Sequence, residues 1–127
     1  MFSVRGLLAI YRSWMLNVAL LATAASALAE VHYVDVNSTN ATPPYTNWTT
    51  AATNIQDAVD AAVAGDEIVV TNGTYYPVVV GKPLNVRSVN GPTLTAIVGG
   101  GSVRCAYLTD NAALSGFVVF GGVARFG

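Results

Sequence analysis

The chain has 127 residues, with six basic and seven acidic side chains and a formal net charge of −1 at pH 7. That length suits one small domain, and the near-neutral balance excludes the electrostatic footprint of a nucleic-acid binder or of a protein drawn to anionic membrane. Cys105 is the only cysteine, so an internal disulfide framework is excluded.

Arg5 and Arg12 give the chain a basic start, and residues 14–24 form an apolar run broken by Asn17. Ala27-Leu28-Ala29 then supplies the small-x-small pattern of a signal-peptidase site. The expectation is a signal peptide over residues 1–29, cleaved between Ala29 and Glu30, and a secreted or cell-surface protein. A transmembrane anchor is the competing reading. The stretch from Trp14 to Ala29 falls short of the roughly 20 apolar residues that a span needs, so no membrane span is expected after removal of the signal. Without Arg5 and Arg12 the remaining bases are Lys82, Arg87, Arg104 and Arg125, and the mature chain is mildly acidic.

Residues 30–52 divide into a strand and a loop. Val31 to Val36 is rich in β-formers; Asn37 to Thr50 is crowded with Asn, Thr and Pro, including Pro43-Pro44. Residues 53–65 read as a helix. Ile55, Ala58, Val59, Ala62 and Val63 fall on one stripe at helical spacing. Thr53 and Gln56 have the spacing of a capping box, Asp57 complements the helix dipole, and Gly65 suits a left-handed C-cap.

From residue 66 the period becomes strand-like. Ile68-Val69-Val70 is a β-branched run, and Thr71-Asn72-Gly73 reads as a turn. A turn asparagine followed by an apolar triplet recurs three times. The asparagines are Asn72, Asn90 and Asn111, at nearly even steps, and the triplets are Val78-Val79-Val80, Ala96-Ile97-Val98 and Phe117-Val118-Val119. Gly81 and Gly99 close the first two directly, and Gly121 follows the third one position late. A period of roughly 20 residues predicts stacked coils whose units cannot bury their apolar faces alone. The amphipathic helix ahead of the first coil would then close one end of the stack. The fold expected is all-β, a right-handed parallel β-helix (a solenoid) with an N-terminal capping α-helix, its first coils spanning residues 66–127. The third triplet is followed by no second lid, so the expectation is a fragment of a longer solenoid, with end-to-end self-association through its open core.

Three stretches, Thr53 to Ala62, Gly65 to Val70 and Asn72-Gly73-Thr74-Tyr75, resemble the opening of right-handed parallel β-helix proteins of the pectin-lyase-like superfamily. Leu114-Ser115-Gly116-Phe117 is similar to a later coil of secreted bacterial members. The resemblance covers roughly Val31 to Gly122 and implies bacterial export. It implies a fold more than an activity, because lyases, hydrolases, esterases, adhesins and autotransporter passengers share this opening. Enzymes of the superfamily carry their chemistry on outward residues of central coils, as calcium-binding acidic clusters with a basic residue, or as grouped aspartates.

Neither pattern occurs in this sequence. Asp57 and Asp60 fall on the polar face of the helix, Asp66 and Glu67 would point to opposite faces of a strand, and Asp110 precedes a turn. His32 is the only histidine, so no pair of histidines can share a site. Asp35-Val36-Asn37 with Asn40 lacks the Gly and final Glu of a calcium loop. No catalytic residue, metal site or cofactor is expected. The candidate ligand-binding residues are Arg87 and Arg104, whose guanidinium forks match a uronate carboxylate, and Tyr107, with Tyr75 and Tyr76, as a sugar-stacking platform. Competing fates are solvent-facing strand positions for the arginines and packing for the tyrosines. Cys105, beside Ala106-Tyr107-Leu108, reads as a buried core residue. The sequons at Asn37, Asn40, Asn47 and Asn72 record Asn/Thr-rich composition in a bacterial protein. The function expected is a non-catalytic scaffold, adhesin or carbohydrate-binding passenger with a polysaccharide or cell-surface partner. The alternative is the N-terminal part of a polysaccharide lyase or glycoside hydrolase whose catalytic coils lie beyond residue 127.

Overall fold

The computed structural model describes residues 28–124; most of the expected signal peptide lies outside them. Among the described residues, nine short strands and one α-helix follow in chain order. β1 (Val31–Val34) precedes a 3-10 turn at Trp48–Thr50 and helix α1 (Ile55–Ala61). The remaining strands are β2 (Glu67–Val70), β3 (Gly73–Tyr75), β4 (Val78–Val80), β5 (Asn85–Ser88), β6 (Thr95–Val98), β7 (Ala106–Leu108), β8 (Ala113–Ser115) and β9 (Val118–Phe120). The fold is β-rich, and every strand pairing is parallel.

The strands form three sheets, ordered β1-β2-β5-β8, β3-β6-β9 and β4-β7. From β2 onward each strand pairs with the strand three places later. Parallel pairing places like positions side by side. His32, Ile68, Val86 and Leu114 are successive register partners on the inner face of the first sheet, and Tyr75, Ile97 and Val119 are partners in the second. The core joins buried members of these rows to Val34, Val70, Val78, Val80 and Leu84, with Ile55, Ala58, Val59 and Ala62 from the helix segment. Burying such side chains contributes about 1.5–3 kcal/mol each, before conformational entropy is counted.

The structure corrects the expected repeat. The second and third triplets do stack, Ala96 on Val118 and Ile97 on Val119. The first does not join them: Val78 to Val80 pair with Ala106 to Leu108 in a different sheet. Asn72 and Asn90 are stacked, Asn90 Nδ2 donating to Asn72 Oδ1 at 2.7 Å. Asn111, with φ of +63°, turns the chain between β7 and β8 instead. The true step is uneven: Glu67 faces Asn85, whereas Asn85 faces Ala113, much further along the chain. The extra length is shared between the β5–β6 and β6–β7 connections, outside the ladders.

The helix is shorter than the sequence predicts and is capped one residue later. Asn54, not Thr53, is the N-cap; its Oδ1 accepts from Asp57 N at 2.8 Å while its Nδ2 donates to Asp57 Oδ2 at 2.9 Å. Ala62 already has extended backbone, so Val63 leaves the stripe and is 63% exposed. Lys82 Nζ donates to the carbonyls of Val59, Asp60 and Ala62 at 3.0, 3.2 and 2.7 Å, adding a charged donor at the C-terminal end of the helix.

Candidate functional site

The three candidate ligand residues do not converge. Arg87 lies on β5 of the first sheet, and its Nε donates to Glu67 Oε1 on the neighbouring strand. The bond takes up Nε, one of the donors that a carboxylate ligand would use. Tyr107 lies on β7 of the third sheet, 52% exposed and in register with Val79. Arg104 precedes β7 and lines an open recess of about 550 Å³ with Cys105, Phe120, Gly121 and Gly122. Cys105 is buried, its Sγ donating to Phe120 O at 3.2 Å.

The aromatic platform is also divided. Tyr75 is in the core, its hydroxyl donating to Thr71 O at 2.9 Å and accepting from Val36 N at 3.2 Å. Burial pushes its phenol up to about 12; the Val36 N–H opposes that, and the Asp35 charge adds to it. Tyr76 is exposed beside a second recess of about 510 Å³, lined by Thr74, Pro77, Val98 and Val103. Among the described residues, no acidic side chain lines either recess.

A buried polar cluster lies elsewhere among the described residues. His32 is on the inner face of β1, 1% exposed, and Asp66 sits just before β2, 3% exposed. His32 Nε2 meets Asp66 Oδ2 at 2.9 Å, and His32 Nδ1 meets the carbonyl of Pro44 at 2.6 Å. Both ring nitrogens therefore face oxygen atoms. Asp66 accepts two further bonds at 2.9 Å, from Glu30 N at Oδ1 and from Val63 N at Oδ2. Burial works to raise the Asp66 pKa; the two backbone N–H groups, the His32 hydrogen bond and the His32 charge outweigh it and leave the carboxyl below its ordinary value.

The Glu30 carboxylate completes the group, its oxygen lying within 4.8 Å of the ligand atoms of His32 and Asp66. A metal fits this trio poorly, because a metal ligand must offer a ring nitrogen with a free lone pair. Here one nitrogen is spent on Pro44 and the other on Asp66. A general base would likewise need a ring nitrogen open to substrate. The arrangement instead ties the start of β1 to the Pro44 loop and to the approach to β2.

Sequence reasoning weighed His32 only as a catalytic residue, and missed this role. The available signal was parity: His32 shares its side of the strand with Val34, so alternation alone places it inward. Its partner, remote along the chain, had no local signature. No model of a known protein family, no curated protein and no solved structure matches this chain.

Proposed function

We propose that this chain is the capped opening of a right-handed parallel β-helix, exported and acting as a non-catalytic scaffold onto which further strands pair. Three strands per turn, each stacking on the strand three places later, are what such a helix requires, and the observed strand orders agree with that. The closed His32–Asp66 pair, the tethered Arg87 and the lack of acidic residues around both recesses favour a scaffold over an enzyme. Open grooves beside Tyr76 and Arg104 leave room for a polysaccharide or cell-surface partner.

The observation that carries the reading is the difference between the two ends of the sheets. At one end β1 is covered by its own loop, Tyr33 N donating to Tyr45 O at 2.8 Å and Ala52 N to Tyr33 O at 2.9 Å. β4 is covered there by α1. At the other end β8 and β9 terminate their sheets, with Val118, Val119 and Phe120 exposed, and Leu108 of β7 is exposed too. Such an apolar edge is a template for pairing. Two such edges paired across a two-fold axis make a closed dimer, in which neither edge is left open.

Sedimentation of the exported chain tests this. A concentration-dependent dimer is expected, and Val119→Lys should leave a folded monomer. A wild-type chain that stays monomeric at high concentration contradicts the reading.

A further inference from the structure

The backbone nitrogen of Glu30 lies 2.9 Å from Asp66 Oδ1. This is also the nitrogen that cleavage after Ala29 would free. Glu30 is held in place from its other side, where its carbonyl accepts from Glu67 N at 2.9 Å and opens the β1–β2 ladder. The approach is open, since Leu28, Ala29 and Glu30 are exposed.

We propose that signal cleavage converts this contact into an ion pair, so that the new α-ammonium group of Glu30 docks on Asp66 and locks the first strand in the mature protein. The inference rests on the export reading given above. In the step itself a signal peptidase adds water across the Ala29–Glu30 amide. The C–N bond breaks, Ala29 keeps the carboxylate, and the Glu30 nitrogen takes up protons to become –NH3+. Before cleavage one neutral N–H faces Asp66; afterwards a full positive charge does, and charge-assisted hydrogen bonds are about twice as strong as neutral ones.

The surroundings suit that change. The Glu30 and Asp66 carboxylates bring two negative charges to the cluster, and His32 faces only acceptors. The α-ammonium places a cation beside the buried Asp66 carboxylate.

The test uses the exported full chain, with its first residue read by mass spectrometry. The α-amine is then acylated in the native and in the urea-denatured protein. An amine held as ammonium by about one pKa unit should react about tenfold more slowly when native. Insertion of a serine between Ala29 and Glu30 should remove that protection and lower the unfolding midpoint. In Asp66→Asn the same insertion should lower it no further. Equal acylation rates in native and denatured wild type overturn the ion pair, whether or not Asp66→Asn folds; so do additive losses from insertion and substitution. A mature chain starting anywhere but Glu30 overturns the cleavage site, and with it the proposal, while leaving the scaffold reading to its own sedimentation test.

Discussion

The side-chain amide of Gln56 binds both backbone groups of Val79, Nε2 donating to Val79 O at 3.1 Å and Oε1 accepting from Val79 N at 2.9 Å. Val78 and Val80 direct their backbone groups to the β7 side, where Val78 N donates to Cys105 O and Val80 O accepts from Thr109 N. Val79 therefore points the other way, toward α1. One side chain reproduces there the paired donor and acceptor of a neighbouring strand, and so ends the sheet without exposing its edge.

Gln56→Ala should strand both Val79 groups and cost about 1–3 kcal/mol in chemical denaturation. Gln56→Glu keeps an acceptor for Val79 N but loses the donor to Val79 O, so it should fall between the two. A Gln56→Ala chain as stable as wild type would remove the seal from this account.

Acid should weaken the His32–Asp66 tie. The folded pKa of Asp66 lies below its ordinary value of 3.8, so the ionised carboxylate is favoured by folding. Its contribution is in full force above that value and is lost as pH falls through the folded pKa. Wild type should exceed Asp66→Asn in unfolding midpoint at neutral pH, and the gap should close below about pH 3.8. A gap independent of pH would contradict the ionic role.

Tyr75→Phe should lose the bonds to Thr71 O and Val36 N, at about 0.5–1.5 kcal/mol each. A phenolate step at about pH 12 should be present in wild type and missing from the variant. Stability unchanged by the substitution would show that neither bond matters.

Arg87→Ala should cost less than about 1 kcal/mol, as expected for a surface ion pair. A larger loss in thermal unfolding would mean that the Glu67–Arg87 contact organises the first sheet rather than decorating it.

Local structure was legible where one residue's neighbours decide its fate. The stripe from Ile55 to Ala62 and the run Ile68 to Val70 are examples. The boundary at Val63 was not, because Ala62 turns extended to meet the strand that follows, and tertiary packing sets that turn. The strand register was misread because three apolar triplets look alike in sequence, whereas pairing is decided by which connection spans which gap. The unequal steps from Glu67 to Asn85 and from Asn85 to Ala113 hide the match between Val78 and Ala106. The His32–Asp66–Glu30 cluster was invisible for a related reason: it is assembled by the β1–β2 ladder, and nothing near His32 announces Asp66. Arg87 was singled out correctly as outward-facing, but its partner Glu67 becomes a neighbour only through the same parallel pairing.

The contrast between the two ends can be measured at two amides. Val79 N–H at the sealed end is bonded to Gln56. Phe120 O faces β6, accepting from Gly99 N at 3.0 Å, so alternation turns the Val119 N–H toward the free edge. Hydrogen exchange of the exported chain, followed residue by residue at low and high concentration, reads both. Val79 should be protected at every concentration, and Val119 should exchange freely when dilute and become protected as the dimer forms. Rapid exchange at Val79, or protection of Val119 in the dilute monomer, would contradict a stack sealed at one end and open at the other.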